Sequence, residues 1–131
     1  MAERKILIVE DEYFLADDCA QLVKAAGCQV VGPFNSMSDA LRELPHDVHG
    51  AVLDINLHGS HAYPLLDRLL IRDIPIVIWT GYDRHYLPSK YAHLTFVAKP
   101  DNCAAAVKGL ALGKRPEICV VSDEPAIEHC R

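Results

Sequence analysis

The chain has 131 residues and a formal net charge of −5; half of its residues are apolar and 24% are charged. That length supports one hydrophobic core, and the composition is that of a globular water-soluble domain. The acidic balance argues against nucleic acid as a bulk partner. No apolar run is long enough to span a bilayer, and "MAERKILIVEDE" is too short in its apolar part and too acidic for a signal peptide.

"KILIVE" (5–10) predicts a short buried strand, rich in Ile and Val. Leu15, Cys19, Leu22 and Ala26 recur at i, i+4, i+7 and i+11 and predict a helix that Gly27 stops. "CQVVG" (28–32) reads as a second strand, with Pro33 and Asn35 in the turn after it. Ser36 with Asp39 resembles a capping box, and Met37, Ala40, Leu41 and Leu44 carry a second helix that Pro45 ends. "GAVLD" (50–54) is the third strand, followed by a loop containing Gly and His. Ala62, Leu66, Leu69 and Leu70 mark a third helix, with Pro64 tolerated in its first turn. "IPIVIWT" (74–80) and "LTFVAK" (94–99) are the fourth and fifth strands. Between them, Pro88 allows at most a short or kinked helix in "GYDRHYLPSKYAH", because proline removes a donor and clashes with the preceding turn. Pro100 and Asp101 open a last helix with Ala104, Val107 and Leu110 on its apolar side, closed by Gly113. Residues 1–113 thus form one domain. Residues 114–131 form a tail whose "ICVV" (118–121) is expected to add an edge strand or pack on a partner, with a mobile polar end.

The five cysteines, Cys19, Cys28, Cys103, Cys119 and Cys130, are odd in number and widely spaced, without a CxxC. This speaks against a disulfide framework or zinc site and fits a reducing cytoplasm.

Five βα units imply an open α/β fold, a doubly wound parallel sheet with helices on both faces and ligands bound beyond the carboxyl ends of its strands. The residues at those ends are Glu10, Asp11 and Glu12 after the first strand, and Asp54 and Asn56 after the third. Thr80 and Gly81 follow the fourth, and Lys99 ends the fifth. Each alone has an ordinary reading: a solvated loop acid, a helix cap, a strand-end hydroxyl, a lysine before a helix. Brought together they form one polar floor. Asp11 and Asp54 a few ångströms apart would repel and raise each other's pKa, and a hard divalent cation such as magnesium, bound through oxygen, removes that conflict. Glu10 could hold a metal-bound water. A cation and Lys99 would neutralise a phosphoryl group while a carboxylate attacks in line.

These motifs resemble the receiver domain of two-component response regulators over residues 4 to about 112. "ILIVEDE" matches its first strand and acidic pair, "LDINLHG" its phosphoacceptor strand and loop, "WTG" its switch hydroxyl and small residue, and "FVAKP" its lysine-proline. The resemblance implies a flavodoxin-like (βα)5 fold with strand order 2-1-3-4-5. It makes Asp54 the residue phosphorylated by the phosphohistidine of a sensor kinase or phosphotransfer protein. Mg2+ or Mn2+ would be held by Asp11, Asp54 and the Asn56 backbone carbonyl, with Glu10 acting through water. Thr80 and Lys99 would take phosphoryl oxygens, and Gly81 would leave room for the group. Phe96 occupies the rotamer-switching aromatic position, and Asn56 and Tyr82 the positions that tune hydrolysis. Asn56-Leu57 stands where the family usually has Met-Pro. "WTGY" and the proline-broken segment resemble a bacterial subgroup of stand-alone receivers whose fourth helix is short or mobile, so phosphorylation is expected to order residues 82–92.

The tail is too short for a DNA-binding output domain. The expected role is a cytoplasmic monomer or weak dimer acting through protein contacts or as a phosphate sink or shuttle, catalysing only its own phosphorylation and dephosphorylation. The rivals are a binding adaptor never phosphorylated and an aspartyl-phosphate phosphohydrolase. The hydrolase normally carries an acid two residues after its nucleophile, where this chain has Asn56. Among seven histidines, His58 and His61 lie near the site, but without a nearby cysteine they read as solvated loop residues rather than zinc ligands.

Overall fold

The Ile- and Val-rich runs become parallel strands: β1 (Lys5–Val9), β2 (Gln29–Phe34), β3 (Gly50–Leu53), β4 (Ile76–Thr80) and β5 (Thr95–Ala98). The computed structural model describes residues 3–113 and the backbone of a further short strand, β6 (Val120–Val121). The sheet order is β2-β1-β3-β4-β5-β6, every pairing parallel. The first five strands therefore take the 2-1-3-4-5 order. β6 lies against β5 at the edge, with Phe96 opposite Val120. The other residues assigned to the tail lie outside the described ones.

Among the described residues four α-helices cover the two faces: α1 (Tyr13–Ala25), α2 (Met37–Glu43), α3 (Tyr63–Ile71) and α4 (Ala104–Ala111). Side chains alternate across a strand, so β1 feeds two cores. Leu7 and Val9 join Leu53, Ile76 and Ile78 under α2 and α3, meeting Ala40, Leu65, Leu66 and Leu69. Ile6 and Ile8 join Val52, Val77 and Val97 on the other face, meeting Cys19 and Val23 of α1 and Val107 and Leu110 of α4. Fully burying each of the larger aliphatic groups stabilises the fold by about 1.5–3 kcal/mol. β1, β3 and β4 are covered on both sides, which is why their sequences read as continuous apolar runs.

Local chemistry sets the ends of the elements. The Ser36 hydroxyl accepts the Asp39 amide at 3.2 Å and starts α2. Pro64 sits in the first turn of α3. The fourth crossover is the short form that Pro88 demands: two 3-10 turns, Arg84–Tyr86 and Ser89–Tyr91, replace an α-helix. Asp83 caps the first by accepting the His85 amide at 2.9 Å. The second is anchored by Tyr91, fully buried, whose hydroxyl donates to Asp67 of α3 at 2.7 Å. Between β3 and α3 the chain makes a small antiparallel hairpin, pairing Asn56 with His61 and Leu57 with Ser60. His58 (φ 52°) and Gly59 (φ 83°) form its two-residue turn, the mirror-image type that hairpin twist favours.

Gly32 stands at φ 102°, where an added Cβ would meet backbone atoms, Phe34 N at 2.7 Å and Ile8 O at 2.9 Å. Gly27 has φ 83° with open space around it. Gly32→Ala should lower stability in urea denaturation by roughly 2–4 kcal/mol, against about 1–2 kcal/mol for Gly27→Ala, which meets conformational strain alone.

Candidate functional site

β1, β3, β4 and β5 end at one edge, and backbone hydrogen bonds hold the residues that follow them in step. The Asp54 amide donates to the Val9 carbonyl at 3.0 Å, and the Lys99 amide to the Thr80 carbonyl at 2.9 Å. These bonds continue the sheet one residue past the apolar runs and aim the first polar side chains at a common point.

At that point Lys99 Nζ stands 2.8 Å from Glu10 Oε1 and 2.9 Å from Asp54 Oδ2. Both carboxylates are buried, Glu10 at 3% and Asp54 at 6% exposure. The other Asp54 oxygen, Oδ1, accepts the Asn56 amide at 3.2 Å. Asp11 completes the cluster: Glu10, Asp11 and Asp54 each present an oxygen within 4.8 Å of the others. The Thr80 hydroxyl oxygen accepts the Tyr82 amide at 3.2 Å, which leaves its own proton free to donate. Asp11, Asp54, Asn56, Thr80, Gly81, Tyr82 and Lys99 line a single open cavity of about 290 Å3. A Cβ on Gly81 would project into open space. A larger cavity of about 840 Å3 between α1 and β2 touches only Glu10 and Asp11 of this set and lies apart from the lysine and the hydroxyl.

Burial dominates the electrostatics of Glu10. It pushes the carboxyl up from 4.5 to about 7, although the Lys99 ammonium and the Glu12 amide pull the other way. Burial likewise works against the Lys99 charge, but the Glu10 and Asp54 carboxylates outweigh it and hold the ammonium above its ordinary value. Glu10 Oε1 is buried and accepts no well-directed hydrogen bond beyond that ion pair. One lysine faces two buried acids, with a third acid beside them. Such an oxygen-rich, charge-deficient set fits a hard divalent cation.

Glu10, Asp11, Asp54, Asn56, Thr80, Gly81, Tyr82 and Lys99, singled out from the sequence, thus come together at this edge. Phe96 is 2% exposed and lines a separate small pocket with Ile55, Tyr63 and Tyr82. Three features escaped sequence reasoning. The His58 amide donates to Asp11 Oδ2 at 2.9 Å, tying the hairpin to the acidic cluster. The His61 ring stacks on Tyr63 and lies edge-on to Tyr82, and Tyr63 stacks on Tyr91, so an aromatic chain links the hairpin to the fourth crossover. Lys99 Nζ also lies 5.4 Å from the centre of the Trp79 ring, whose indole donates to the Asp101 carbonyl. The alternation of β4 gave a signal for Trp79 alone, since it places that ring on the α1/α4 side of the sheet.

No family model and no curated protein sequence matches the chain. Solved structures do. The solution structure of SdrG from Sphingomonas melonis Fr1 superposes with a TM-score of 0.71 at 29% identity, covering 86% of this chain and 98% of that one. The response regulator PhyR from Brucella abortus matches with a TM-score of 0.70 at 26% identity, over 87% of this chain and 48% of that one. A CheY-like response regulator receiver domain from Methylobacillus flagellatus, at 20% identity and a TM-score of 0.68, shares the fold. The chain has the fold of a response-regulator receiver domain and is similar to solved receivers of that kind.

The raised pKa of Glu10 has a consequence for stability. The native state holds that proton more tightly than the unfolded chain. The contribution is fully present below about pH 4.5 and is lost as pH rises through about 7. Glu10→Gln should abolish that loss, so that the metal-free variant exceeds the parent by roughly 2–3 kcal/mol at pH 8 and by much less at pH 5. Urea denaturation at the two pH values reads the difference.

Proposed function

We propose that this receiver accepts a phosphoryl group on Asp54 from the phosphohistidine of a sensor kinase or phosphotransfer protein. The observation that carries the reading is the Lys99 ammonium, held between Asp54 and Glu10 at the mouth of a cavity that also presents Asp11 and Thr80. An adaptor that is never phosphorylated has no need for this repelling, buried arrangement.

Asp54 would attack phosphorus in line, forming a carboxyl oxygen–phosphorus bond as the phosphorus–nitrogen bond to the donor imidazole breaks. A magnesium or manganese ion held by Asp11, Asp54, the Asn56 backbone carbonyl and, through water, Glu10 would supply positive charge against the phosphoryl oxygens. Lys99 already touches Asp54 and needs only a short swing to follow an oxygen of the new group. The Thr80 hydroxyl donates to another, and its movement draws on Tyr82, whose amide it accepts. Asn56 and Tyr82 flank the path of hydrolytic water. The side-chain oxygen of Asn56 is engaged by the Gly59 amide at 3.1 Å, and as an amide it offers no acid or base to a phosphohydrolase.

Output runs through contact with a protein target or by passing phosphate onward, in the cytoplasm, as a monomer or weak dimer. The acidic chain makes no bid for DNA, and among the described residues no helix is long and apolar enough to cross a membrane. Beyond its own phosphorylation and dephosphorylation the protein catalyses nothing.

Incubation with acetyl phosphate and Mg2+ should add one phosphate to the intact mass, and Asp54→Asn should show none. A parent chain that stays unmodified would favour the adaptor. Beryllofluoride with Mg2+ should change amide exchange across residues 82–92, because Thr80 and Tyr82 connect the cavity to the 3-10 turns. Protection there identical with and without the ligand would sever that connection.

A further inference from the structure

Two thiols 84 positions apart in the chain meet where α1 packs against α4. Cys19, on the inner side of α1, and Cys103, the residue that precedes α4, are both buried and free, and their sulfurs touch at 4.0 Å. Ile8, Val77 and Val97 of the sheet pack in the same cluster. A disulfide holds its sulfurs about 2.05 Å apart, so closing the bond takes an approach of about 2 Å. The pair is asymmetric. Contact with Cys19 holds the Cys103 thiol below its ordinary value, while the same contact and burial push Cys19 up. The N-terminal end of α4 also favours a thiolate at Cys103. That sulfur lies just under the surface, since the two residues before it, Asp101 and Asn102, are exposed.

We infer that Cys19 and Cys103 are a peroxide-reactive dithiol that closes to a reversible disulfide between α1 and the start of α4. The Cys103 thiolate attacks one oxygen of hydrogen peroxide; the oxygen–oxygen bond breaks, and hydroxide leaves and takes up the Cys103 proton as water. The sulfenic acid so formed is attacked at sulfur by Cys19. The sulfur–oxygen bond breaks, and the hydroxyl leaves with the Cys19 proton as a second water. Two thiols thus lose two electrons and two protons, and one peroxide is reduced to two waters. A transient disulfide of this kind is compatible with a reducing compartment. The bond ties α1 to the loop that Lys99 opens. In that loop the Asp101 carbonyl accepts the Trp79 indole at 2.8 Å, and the Lys99 ammonium lies over the Trp79 ring. Closure at Cys103 therefore bears on the backbone that presents Lys99 to Asp54. The inference stands on this contact and on neither the cation nor the phosphorylation proposed above.

The test treats the full chain with hydrogen peroxide, alkylates the remaining thiols in denaturant and digests with trypsin. Cys19 and Cys103 fall on separate peptides, residues 6–24 and 91–108, each with a single cysteine, because trypsin passes over Lys99-Pro100. The intact mass should fall by about 2 Da, and the two peptides should appear joined and separate on reduction with dithiothreitol. Cys28, whose thiol burial pushes up, should stay alkylated on its own peptide. Cys103→Ala should lose the joined peptide. The triple variant Cys28→Ala, Cys119→Ala, Cys130→Ala retains the pair and should still lose about 2 Da. Amide exchange across residues 101–107 should slow in the oxidised chain. Cys19 and Cys103 both still alkylated after a dose that fully oxidises glutathione would overturn the inference, as would either sulfur carried on to sulfinic acid with no joined peptide. Exchange unchanged in a fully joined chain would overturn the hold on the Lys99 loop.

Discussion

The Lys99 ammonium between two buried carboxylates is the constraint on which the site depends. Burying an acid is costly unless a positive charge meets it, and here one cation serves Glu10 and Asp54 together. The balance is incomplete. Glu10 remains poised near neutrality, and Asp11 adds a third carboxyl within 4.8 Å. A domain this polar at one edge is held together by the apolar sheet beneath it. Continuous runs such as Ile6–Val9 and Ile76–Ile78 bury on both faces and leave the charged residues no choice but the strand ends.

The loops around this edge are tied down as well. The hairpin after β3 is fastened to Asp11 by the His58 amide, and Asn56 closes the hairpin on itself through the Gly59 amide. The fourth crossover, denied an α-helix by Pro88, is fastened instead through Tyr91 to Asp67 and through stacked rings to Tyr63 and His61. Thr80 and Tyr82 lie between cavity and crossover, both lining the reaction space and joined by a hydrogen bond. A change at Asp54 therefore has a short, continuous route of packed and bonded groups toward a segment built of two single turns rather than a rigid helix.

Much of this was legible beforehand. Strand-length runs of Val and Ile gave five strands. Their alternation with 3.6-period stretches implied parallel crossovers, and the tendency of open α/β sheets to bind ligands beyond the carboxyl ends of their strands pointed to the residues just after each run. Asp54, Thr80 and Lys99 were found that way because each directly follows or closes an apolar run. Pro88 correctly announced a broken fourth crossover. Phe96 was placed in the right strand, and the fold buries its ring beside Ile55, Tyr63 and Tyr82.

Short-range patterning, then, determined the elements and the identity of the edge residues, because hydrophobic period, caps and prolines act over a few neighbours in the chain. Tertiary structure decided which of those residues share a charge. Lys99 meets Glu10 and Asp54 from far along the chain, and His58 meets Asp11 only because a two-residue turn folds it back over β1. Such meetings depend on strand register and on the angle at which a loop leaves the sheet. Neither is written in any local stretch of residues; both are set by packing the two cores.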